Sequence, residues 1–155
     1  WNVDRKTKAK KIKLTPFQIV ALASIVEKEQ NIKKDERPEI AGLYLNRIKK
    51  KMKLESDPTL IFALGDFTIN RVLNKDKKVD SPYNTYIHKG LPPGPICIPS
   101  INAVDAVLNA SENEYIFMCA KEDFSGYHNF AKSYRKHLRN ARKYQKALNK
   151  RKIMR

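Results

Sequence analysis

The tightest limit on the fold comes from the segment Thr15–Gln30, TPFQIVALASIVEKEQ. Thr15 can cap a helix, and Pro16 suits the first helical position, where a missing N–H costs nothing. Gln18 lies three residues after the cap and completes a capping box. The residues that follow are apolar on nearly every helical face, which is typical of a buried helix. The sequence therefore predicts one buried helix around which the rest of the chain packs.

Two acidic residues, Glu27 and Glu29, end this apolar stretch. Glu27 shares a helix face with Ala23, and Glu29 follows Ile25 in the same way. A carboxyl at the end of a buried helix is partly removed from water, which raises its pKa and suits it to donate a proton near neutral pH. Periodicity does not choose between the two acids. A helix that simply becomes polar where it reaches the surface would give the same pattern.

The charge of the chain is strongly unbalanced. There are 32 lysines and arginines against 16 aspartates and glutamates, a formal net charge of +16. Such a surface attracts polyanions, which include nucleic acid, anionic lipid headgroups and acidic cell-wall polymers. The basic residues concentrate in segments 5–13 and 47–53 and in the tail from Lys132. Solvated helix faces would produce the same runs of charge.

Metal and membrane signals are absent from the sequence. Cys97 and Cys119 lack the CxxC spacing of a metal site, and their spacing neither requires nor excludes a disulfide. We therefore expect no metal and no cofactor. No apolar run approaches the ~18 residues that can span a bilayer. The chain begins at Trp1 rather than Met, and we expect it to be a fragment of a longer protein.

The remaining patterns predict a mainly helical α+β domain over residues 1–155. Helices are expected over 1–14, from about Glu36 to Met52, from Pro58 to Gly65 with Ser56 or Asp57 as cap, and over 100–110. In the second of these helices, Tyr44 belongs to the apolar stripe and Arg47 to the solvent side. Tyr115–Ala120 and Tyr127–Phe130 predict a late β-hairpin, and the tail from about Ala131 predicts one long C-terminal helix.

Residues 81–100, SPYNTYIHKGLPPGPICIPS, are too rich in proline and glycine for a regular helix or a central strand. Their tyrosines and branched residues argue against disorder. We interpret the segment as a rigid, ordered loop. Rings and amides on a rigid backbone suit sugar recognition, because rings stack on the apolar sugar face and amides bond its oxygens. A crossover loop with a purely structural role would have the same composition.

Five sequence blocks occur in a specific order. They are ASIVEKE at 23–29, ERPEIAGLYLNRI at 36–48, DPT at 57–59 followed by IFALGD, SPYNTY with GLPPGPI over 81–96, and YIFMCA with HNF over 115–130. In this order and at this spacing they resemble the YceG-like family, the endolytic murein transglycosylases of bacteria. The resemblance extends from Trp1 to about Lys146. One block alone would be weak, whereas five blocks in register are highly specific.

The resemblance implies a lysozyme-like catalytic domain and a lyase reaction. Family members cut the β-1,4 bond between N-acetylmuramic acid and N-acetylglucosamine within peptidoglycan strands. The muramic 6-hydroxyl attacks its own anomeric carbon and leaves a 1,6-anhydro end, so one residue serves as acid and then as base, unlike the two-carboxylate glycosidases. The family's glutamate is matched to Glu27, the first acid of VEKE. Glu29 is then expected to be a salt-bridging or supporting residue.

The same resemblance implies a set of substrate-binding residues around the catalytic glutamate. Those expected to line the groove are Asp57, Tyr83, Asn84, Thr85 and Tyr86, with His128 and Phe130 at its edge. Each of these roles is an expectation from the matched motifs.

The resemblance also implies partners and a location. The family releases growing glycan strands, so peptidoglycan is the expected substrate and peptidoglycan synthases are candidate partners. Full members carry an N-terminal membrane helix and a LysM-like region, so the parent is expected at the periplasmic face of the bacterial inner membrane, with this fragment soluble.

Two other interpretations of the sequence are a nucleic-acid-binding module, argued from the charge, and a glycan-binding domain without catalysis. The absence of nucleic-acid motifs and the intact VEKE disfavour them.

Overall fold

The computed structural model describes residues 1–153, and the helix at its centre, α2, spans Pro16–Glu29. Thr15 caps α2 as the sequence predicts. The Gln18 N–H donates to Thr15 Oγ1 at 3.2 Å, and the Thr15 N–H donates to Gln18 Oε1 at 2.9 Å. Every residue from Ala21 to Val26 is buried. The prediction of a buried central helix is confirmed.

The described residues form five further α-helices. They are α1 (Val3–Ile12), α3 (Arg37–Lys49), α4 (Asp57–Leu64), α5 (Ile101–Leu108) and α6 (Tyr134–Ile153), with short 3-10 turns at Lys34–Glu36 and Asp76–Lys78. Helices α1, α3, α4 and α5 all pack against α2. Because α2 is apolar on nearly all its faces, each neighbour covers a different part of its circumference.

A small hairpin precedes the last helix. Strands β1 (Phe117–Ala120) and β2 (His128–Ala131) pair antiparallel, with Phe117 opposite Ala131 and Ala120 opposite His128. Helix α6 packs against both strands. A mainly helical α+β fold with a late hairpin and a long C-terminal helix is thus confirmed. The likeness to lysozyme stays a prediction.

The proline-rich loop follows α2 toward its C-terminal end. Within 81–100 the chain forms turns and bends but no helix or strand. The Ile96 N–H donates to the buried hydroxyl of Ser24 at 3.0 Å, and the Ser100 N–H donates to Glu27. The Thr85 carbonyl accepts the Glu55 N–H at 3.2 Å, which ties the loop to the start of α4. These bonds make the loop an ordered wall, as the sequence predicts.

Candidate active site

The last turn of α2 presents Glu27 and Glu29 to opposite sides of the helix. Residues two apart in an α-helix are rotated by roughly 200°, so the two carboxylates enter different surroundings. Glu27 faces the beginning of α5, where Ser100 is the capping residue. Glu29 faces Tyr44 of α3 and Ser56 at the beginning of α4. The tertiary structure therefore separates two acids that periodicity treats alike.

Glu27 is held by polar and charged partners. Its Oε1 accepts the Ser100 N–H at 3.0 Å and lies 3.9 Å from Nη1 of Arg37, while Cys97 Sγ lies 3.8 Å from Oε2. Burial raises the pKa of Glu27, but the hydrogen bonds from Ser100 and the charge of Arg37 outweigh it, so the pKa is lowered. The raised pKa predicted for Glu27 is wrong, because the sequence does not show these partners.

Arg37 explains why Glu27 carries a charge at this position. The Arg37 side chain is 2% exposed, and it donates to the Gln30 carbonyl at 2.9 Å and to Asn102 Oδ1 at 2.8 Å. A buried guanidinium requires a nearby negative charge, and Glu27 supplies it. Glu27 thus joins α2, α3 and α5, and the salt-bridging role expected for Glu29 is observed at Glu27.

Glu29 accepts hydrogen bonds from two hydroxyl groups. Tyr44 Oη donates to Glu29 Oε1 at 2.8 Å, and Ser56 Oγ donates to the same oxygen at 3.0 Å. Burial raises the pKa of Glu29, and the nearby charge of Asp57 adds to this effect. The two hydroxyls and the charge of His128 oppose it only in part, so the net pKa is raised. Glu29 therefore has the environment that the sequence led us to expect for Glu27.

A cleft of about 310 Å³ opens beside Glu29. Its walls come from α3, α4, the proline-rich loop, the hairpin and α6; the lining residues are Leu43, Tyr44, Arg47, Leu54, Glu55, Asp57, Tyr86, Ile116, Phe117, Met118, Tyr134 and His137. These walls combine apolar and aromatic side chains with several ionisable groups that converge on the cleft, and converging polar groups are typical of ligand sites. The Glu29 carboxyl is half-buried and still borders this open space.

Asp57 and Tyr86 form one wall of the cleft. Tyr86 Oη donates to Asp57 Oδ1, a bond that connects the first turn of α4 to the proline-rich loop. Burial and the Asp57 carboxylate raise the pKa of Tyr86, so its phenol keeps the proton. Lys77 lies over the Tyr86 ring, 5.0 Å from the centroid. The structure thus brings two of the predicted groove residues together with Glu29.

Asn84 and Thr85 are buried in the loop and do not line the cleft; they are 0% and 2% exposed. Asn84 Nδ2 donates to two carbonyls of segment 77–79 at 3.1 and 2.8 Å, and its Oδ1 accepts the Tyr86 N–H at 2.9 Å. Thr85 Oγ1 accepts the Ser56 N–H at 2.9 Å. The polar atoms of both side chains form hydrogen bonds inside the domain and are not available to a substrate. The prediction that Asn84 and Thr85 line the groove is therefore wrong. They position Tyr86 and Ser56 instead.

Tyr83 and Phe130 also pack inside the domain. The Tyr83 ring lies 4.7 Å from that of Phe62, and Phe130 stacks on Tyr115 with ring centroids 5.4 Å apart. Both are partly buried against the hydrophobic core, and neither lines the cleft beside Glu29. Their predicted contact with substrate has no support in the geometry of this cleft.

His128 is tied to a buried carboxylate at the edge of the site. Its backbone N–H donates to Glu36 Oε2 at 2.9 Å, and its Nδ1 contacts Glu36 Oε1. The charge of His128 is close enough to Glu29 to lower the pKa of that carboxyl. The structure thus places His128 against Glu36 at the start of β2, and His128 does not line the cleft beside Glu29.

Three residues that shape the site are absent from the sequence-based set. Tyr44 looks like a member of an apolar stripe, and Ser56 looks like a helix cap. Arg47 is expected in solvent but is 7% exposed, and its Nε donates to the Ile116 carbonyl at 2.7 Å. Tyr44 and Arg47 are three residues apart on α3, so they share one face. This spacing is the sequence signal that would have predicted polar groups next to the apolar stripe of α3.

A second and larger cavity, of about 1010 Å³, lies elsewhere on the molecule. It is lined by α1, α3 and the 108–114 connection and bears the lysines Lys8, Lys11, Lys13 and Lys49. It contains no residue that contacts Glu29 or Glu27. Size alone therefore does not identify the candidate site; the titratable groups do.

Among residues 1–153, no cluster of three or more His, Cys, Asp or Glu side chains could hold a metal ion. Cys97 and Cys119 are both free thiols. Of the helices in this range, none has both the length and the apolar character needed to cross a bilayer.

Most of the chain is similar to known proteins. The YceG-like family matches residues 1–143. The chain is 39% identical over 139 residues to the endolytic murein transglycosylase of Bacillus subtilis strain 168, covering 90% of the chain and 38% of that protein. It is 35% identical over 111 residues to the endolytic murein transglycosylase of Streptococcus pneumoniae strain D39, covering 69% of the chain and 20% of that protein.

A solved structure has the same fold. The 2.6 Å crystal structure of a yceG-like protein from Listeria monocytogenes superposes with a TM-score of 0.79 at 34% identity, covering 86% of this chain and 43% of that one. The chain therefore spans less than half the length of these relatives. Because the family match covers nearly the whole chain, the chain belongs to the YceG-like family.

Proposed function

We propose that this chain carries the catalytic site of a murein lytic transglycosylase, with Glu29 as its acid and base. One observation carries the proposal: Glu29 borders the cleft, is fixed by two hydroxyls, and has a raised pKa. The names of the relatives, endolytic murein transglycosylases, support murein glycan as the substrate.

The geometry favours Glu29 over Glu27 as the proton donor. A donor must hold a proton near neutral pH and must reach the substrate. Glu27 has a lowered pKa, faces Ser100 and Arg37, and does not line the cleft. Two carboxyls whose surroundings push their pKa values apart usually have different roles, and the one with the raised pKa is the acid.

The proposed reaction uses Glu29 twice. Protonated Glu29 gives its proton to the glycosidic oxygen as the bond from that oxygen to the muramic C1 breaks. The muramic 6-hydroxyl oxygen then bonds to C1, and the Glu29 carboxylate takes the hydroxyl proton. The product has a 1,6-anhydro end, no water is consumed, and Glu29 is protonated again. Tyr44 and Ser56 stabilise the transient carboxylate, because hydrogen bonds to a charged acceptor are stronger than neutral ones.

Asp57 supplies the second electrostatic element of this mechanism. Its carboxylate stands at the cleft wall and accepts the Tyr86 hydroxyl. Positive charge develops on the sugar ring as the glycosidic bond breaks. A fixed negative group aimed at that charge lowers the barrier. Asp57 therefore acts as a stabiliser in the proposal and forms no covalent bond.

The proposal also specifies which glycosidic bond is cut and where in the cell the cut is made. The bond is the β-1,4 linkage between N-acetylmuramic acid and N-acetylglucosamine in nascent strands, cut on the extracytoplasmic side of the membrane near the peptidoglycan synthases. The net charge of +16 supports this location, since anionic wall polymers and lipid headgroups attract such a surface.

Digestion of purified glycan strands tests the proposal. The chain, Glu29→Gln and Glu27→Gln are incubated with strands, and the products are identified by mass spectrometry. The two variants make the same chemical change two residues apart, so each controls for the other. We expect anhydro ends, lighter than hydrolytic ends by one water, from the chain and Glu27→Gln, and none from Glu29→Gln.

Each other outcome contradicts a defined part of the proposal. Anhydro ends from Glu29→Gln but not from folded Glu27→Gln would return the acid role to Glu27. Hydrolytic ends would contradict the lyase reaction while leaving the site in place. A folded wild-type chain that cuts no glycan would contradict the assignment of activity to this part of the protein.

A further inference from the structure

Three rings from the hairpin and α6 line the cleft beside Glu29 and have no role in the steps above. They are Phe117 of β1 and Tyr134 and His137 of α6. The Phe117 ring stacks on His137 with centroids 5.1 Å apart, and it lies 5.7 Å from the tilted ring of Tyr134. The rings of Tyr134 and His137 are 6.2 Å apart. All three distances are in the range of aromatic contact, so the rings form one cluster, which we call the platform.

Tyr134 is the exposed member of the platform. It is 61% exposed, whereas Phe117 and His137 are half-buried. Its backbone is held in the first turn of α6, where the Ser133 carbonyl accepts the His137 N–H at 3.0 Å. Single exposed rings are ordinary on a protein surface, but this ring lines the cleft that Glu29 borders. Tyr134 therefore presents an aromatic surface to whatever the cleft binds.

Arg47 holds the platform from the side of α3. Its guanidinium lies over the Phe117 ring, with Cζ 5.4 Å from the ring centroid, a favourable cation–π contact. Its Nε donates to the Ile116 carbonyl at 2.7 Å, and its Nη1 donates to the Lys53 carbonyl at 2.8 Å. Because these bonds fix a side chain that is only 7% exposed, the ring of Phe117 packs against a rigid base.

His137 adds a hydrogen-bond donor to the platform. Its Nδ1 is buried and has no hydrogen-bond partner among the described residues. A buried acceptor without a partner is tolerated better than a buried N–H without one, so the proton of the neutral ring belongs on Nε2. Burial and the charge of Arg47 lower the pKa of His137, which favours the neutral ring. The ring edge that a ligand in the cleft can reach therefore carries an N–H.

We propose that the platform of Phe117, Tyr134 and His137 is a sugar subsite that binds one N-acetylated pyranose ring of the strand whose bond is cut at Glu29. This inference rests on the proposed function of Glu29. The Tyr134 ring stacks on the apolar C–H face of the sugar, and Nε2–H of His137 donates to a hydroxyl or acetamido oxygen. Because the platform and Glu29 border one cleft, a sugar held on the rings fixes the position of its neighbours along the strand.

The charges around the platform favour a neutral ligand. Nη1 of Arg47 lies 3.8 Å from Oε2 of Glu55, so a carboxylate already faces this cation. Glu55 and Asp57 both line the cleft, and they would repel the phosphates of an anionic wall polymer. A pyranose ring with hydroxyl and acetamido groups brings no charge. The cleft volume of about 310 Å³ is at the lower end for ligand pockets, which suits a few sugar rings.

The first test measures binding of tri-N-acetylchitotriose by NMR titration. This neutral sugar has the N-acetylated ring and lacks muramic acid, the unit that the proposed reaction attacks. We expect Tyr134→Ala to weaken binding roughly 10-fold, the effect of one lost aromatic contact, and Tyr134→Phe to preserve it. His137→Phe keeps a ring beside Phe117 and should weaken binding roughly 5-fold through one lost hydrogen bond. Phe67→Ala, at a ring 72% exposed and outside the cleft, is the matched control and should change nothing.

The second test separates substrate binding from a structural role. A contact made equally in the ground and transition states affects KM and leaves kcat unchanged, so Tyr134→Ala should raise KM for glycan strands roughly 10-fold at constant kcat. Tyr134→Phe should restore KM. An unchanged trisaccharide affinity in folded Tyr134→Ala, or no trisaccharide binding by the chain, would overturn the inference. If the chain binds the trisaccharide through Tyr134 but cuts no murein, the proposed function fails and the subsite stands.

Discussion

Glu27 and Glu29 leave opposite sides of α2, and their surroundings shift their pKa values in opposite directions. Glu27 Oε1 accepts the Ser100 N–H at 3.0 Å and faces Arg37, whereas Glu29 Oε1 accepts the hydroxyls of Tyr44 and Ser56 at 2.8 and 3.0 Å. The same substitution at the two positions should therefore change stability in opposite directions.

Glu29→Gln should increase the free energy of unfolding at neutral pH. The folded pKa of Glu29 is raised, so the folded state binds more protons between the unfolded and folded pKa values, and stability falls as pH rises through that window. Within that window folding must take up a proton that the unfolded state releases, and above it the partly buried group is a carboxylate, so in both cases Glu29 lowers stability relative to a neutral amide. We expect a gain of about 1 kcal/mol, typical of one stabilising substitution. Urea unfolding measures it, and a loss of stability at neutral pH would contradict the raised pKa.

Glu27→Gln should decrease the free energy of unfolding at neutral pH by about 1–3 kcal/mol, the cost of losing a hydrogen bond to a charged group. Arg37 also loses its countercharge. The folded pKa of Glu27 is lowered, so its stabilisation is present above the ordinary value of 4.5 and is lost as pH falls through the folded pKa. The difference between chain and variant should shrink on acidification. A difference that is constant with pH would show that the charge is not its cause.

Tyr44→Phe should move the high-pH limb of the glycan-cleavage profile upward. The Tyr44 hydroxyl stabilises the Glu29 carboxylate, so its loss raises the pKa of Glu29 further. Ser56→Ala should shift the limb in the same direction. Tyr83→Phe is the matched control, because Tyr83 packs on Phe62 and does not line the cleft. A downward shift in Tyr44→Phe would indicate that Glu29 is not the titrating acid.

Asn84→Ala should destabilise the chain by about 2 kcal/mol, because two buried carbonyls and the Tyr86 N–H lose their partner. Asn70→Ala removes the same side chain from an exposed position and should be neutral. Thermal unfolding of both variants measures the difference. Unchanged stability together with lost glycan binding would restore the direct substrate contact that the motif implies for Asn84.

Much of the fold could be predicted from local patterns. The capping box at Thr15 and Gln18 places the beginning of α2, and the apolar run up to Val26 identifies it as the central helix. These features depend on neighbours within one or two helical turns, so they are visible in the order of residues. The rigid loop at 81–100 follows in the same way from its prolines and tyrosines.

The site could be predicted only in outline, because motifs name residues and not the direction of their side chains. Asp57 and Tyr86 do line the cleft beside Glu29, whereas His128 contacts Glu36 and does not line it. Asn84 belongs to the same motif as Tyr86, but its amide points into the loop. In an irregular loop the side-chain directions do not repeat at a fixed spacing, so the sequence does not show which residues face the cleft.

The order of residues determines that two glutamates end a buried helix, and only the tertiary structure decides which of them has the raised pKa. Glu27 is contacted by Ser100 and Arg37, and Glu29 by Tyr44 and Ser56; these partners lie 10 to 73 residues away along the chain. A pKa depends on desolvation and on the charges and donors within a few ångströms. Those neighbours exist only once the helices have packed, which is why the pattern of α2 alone treats the two acids as equal.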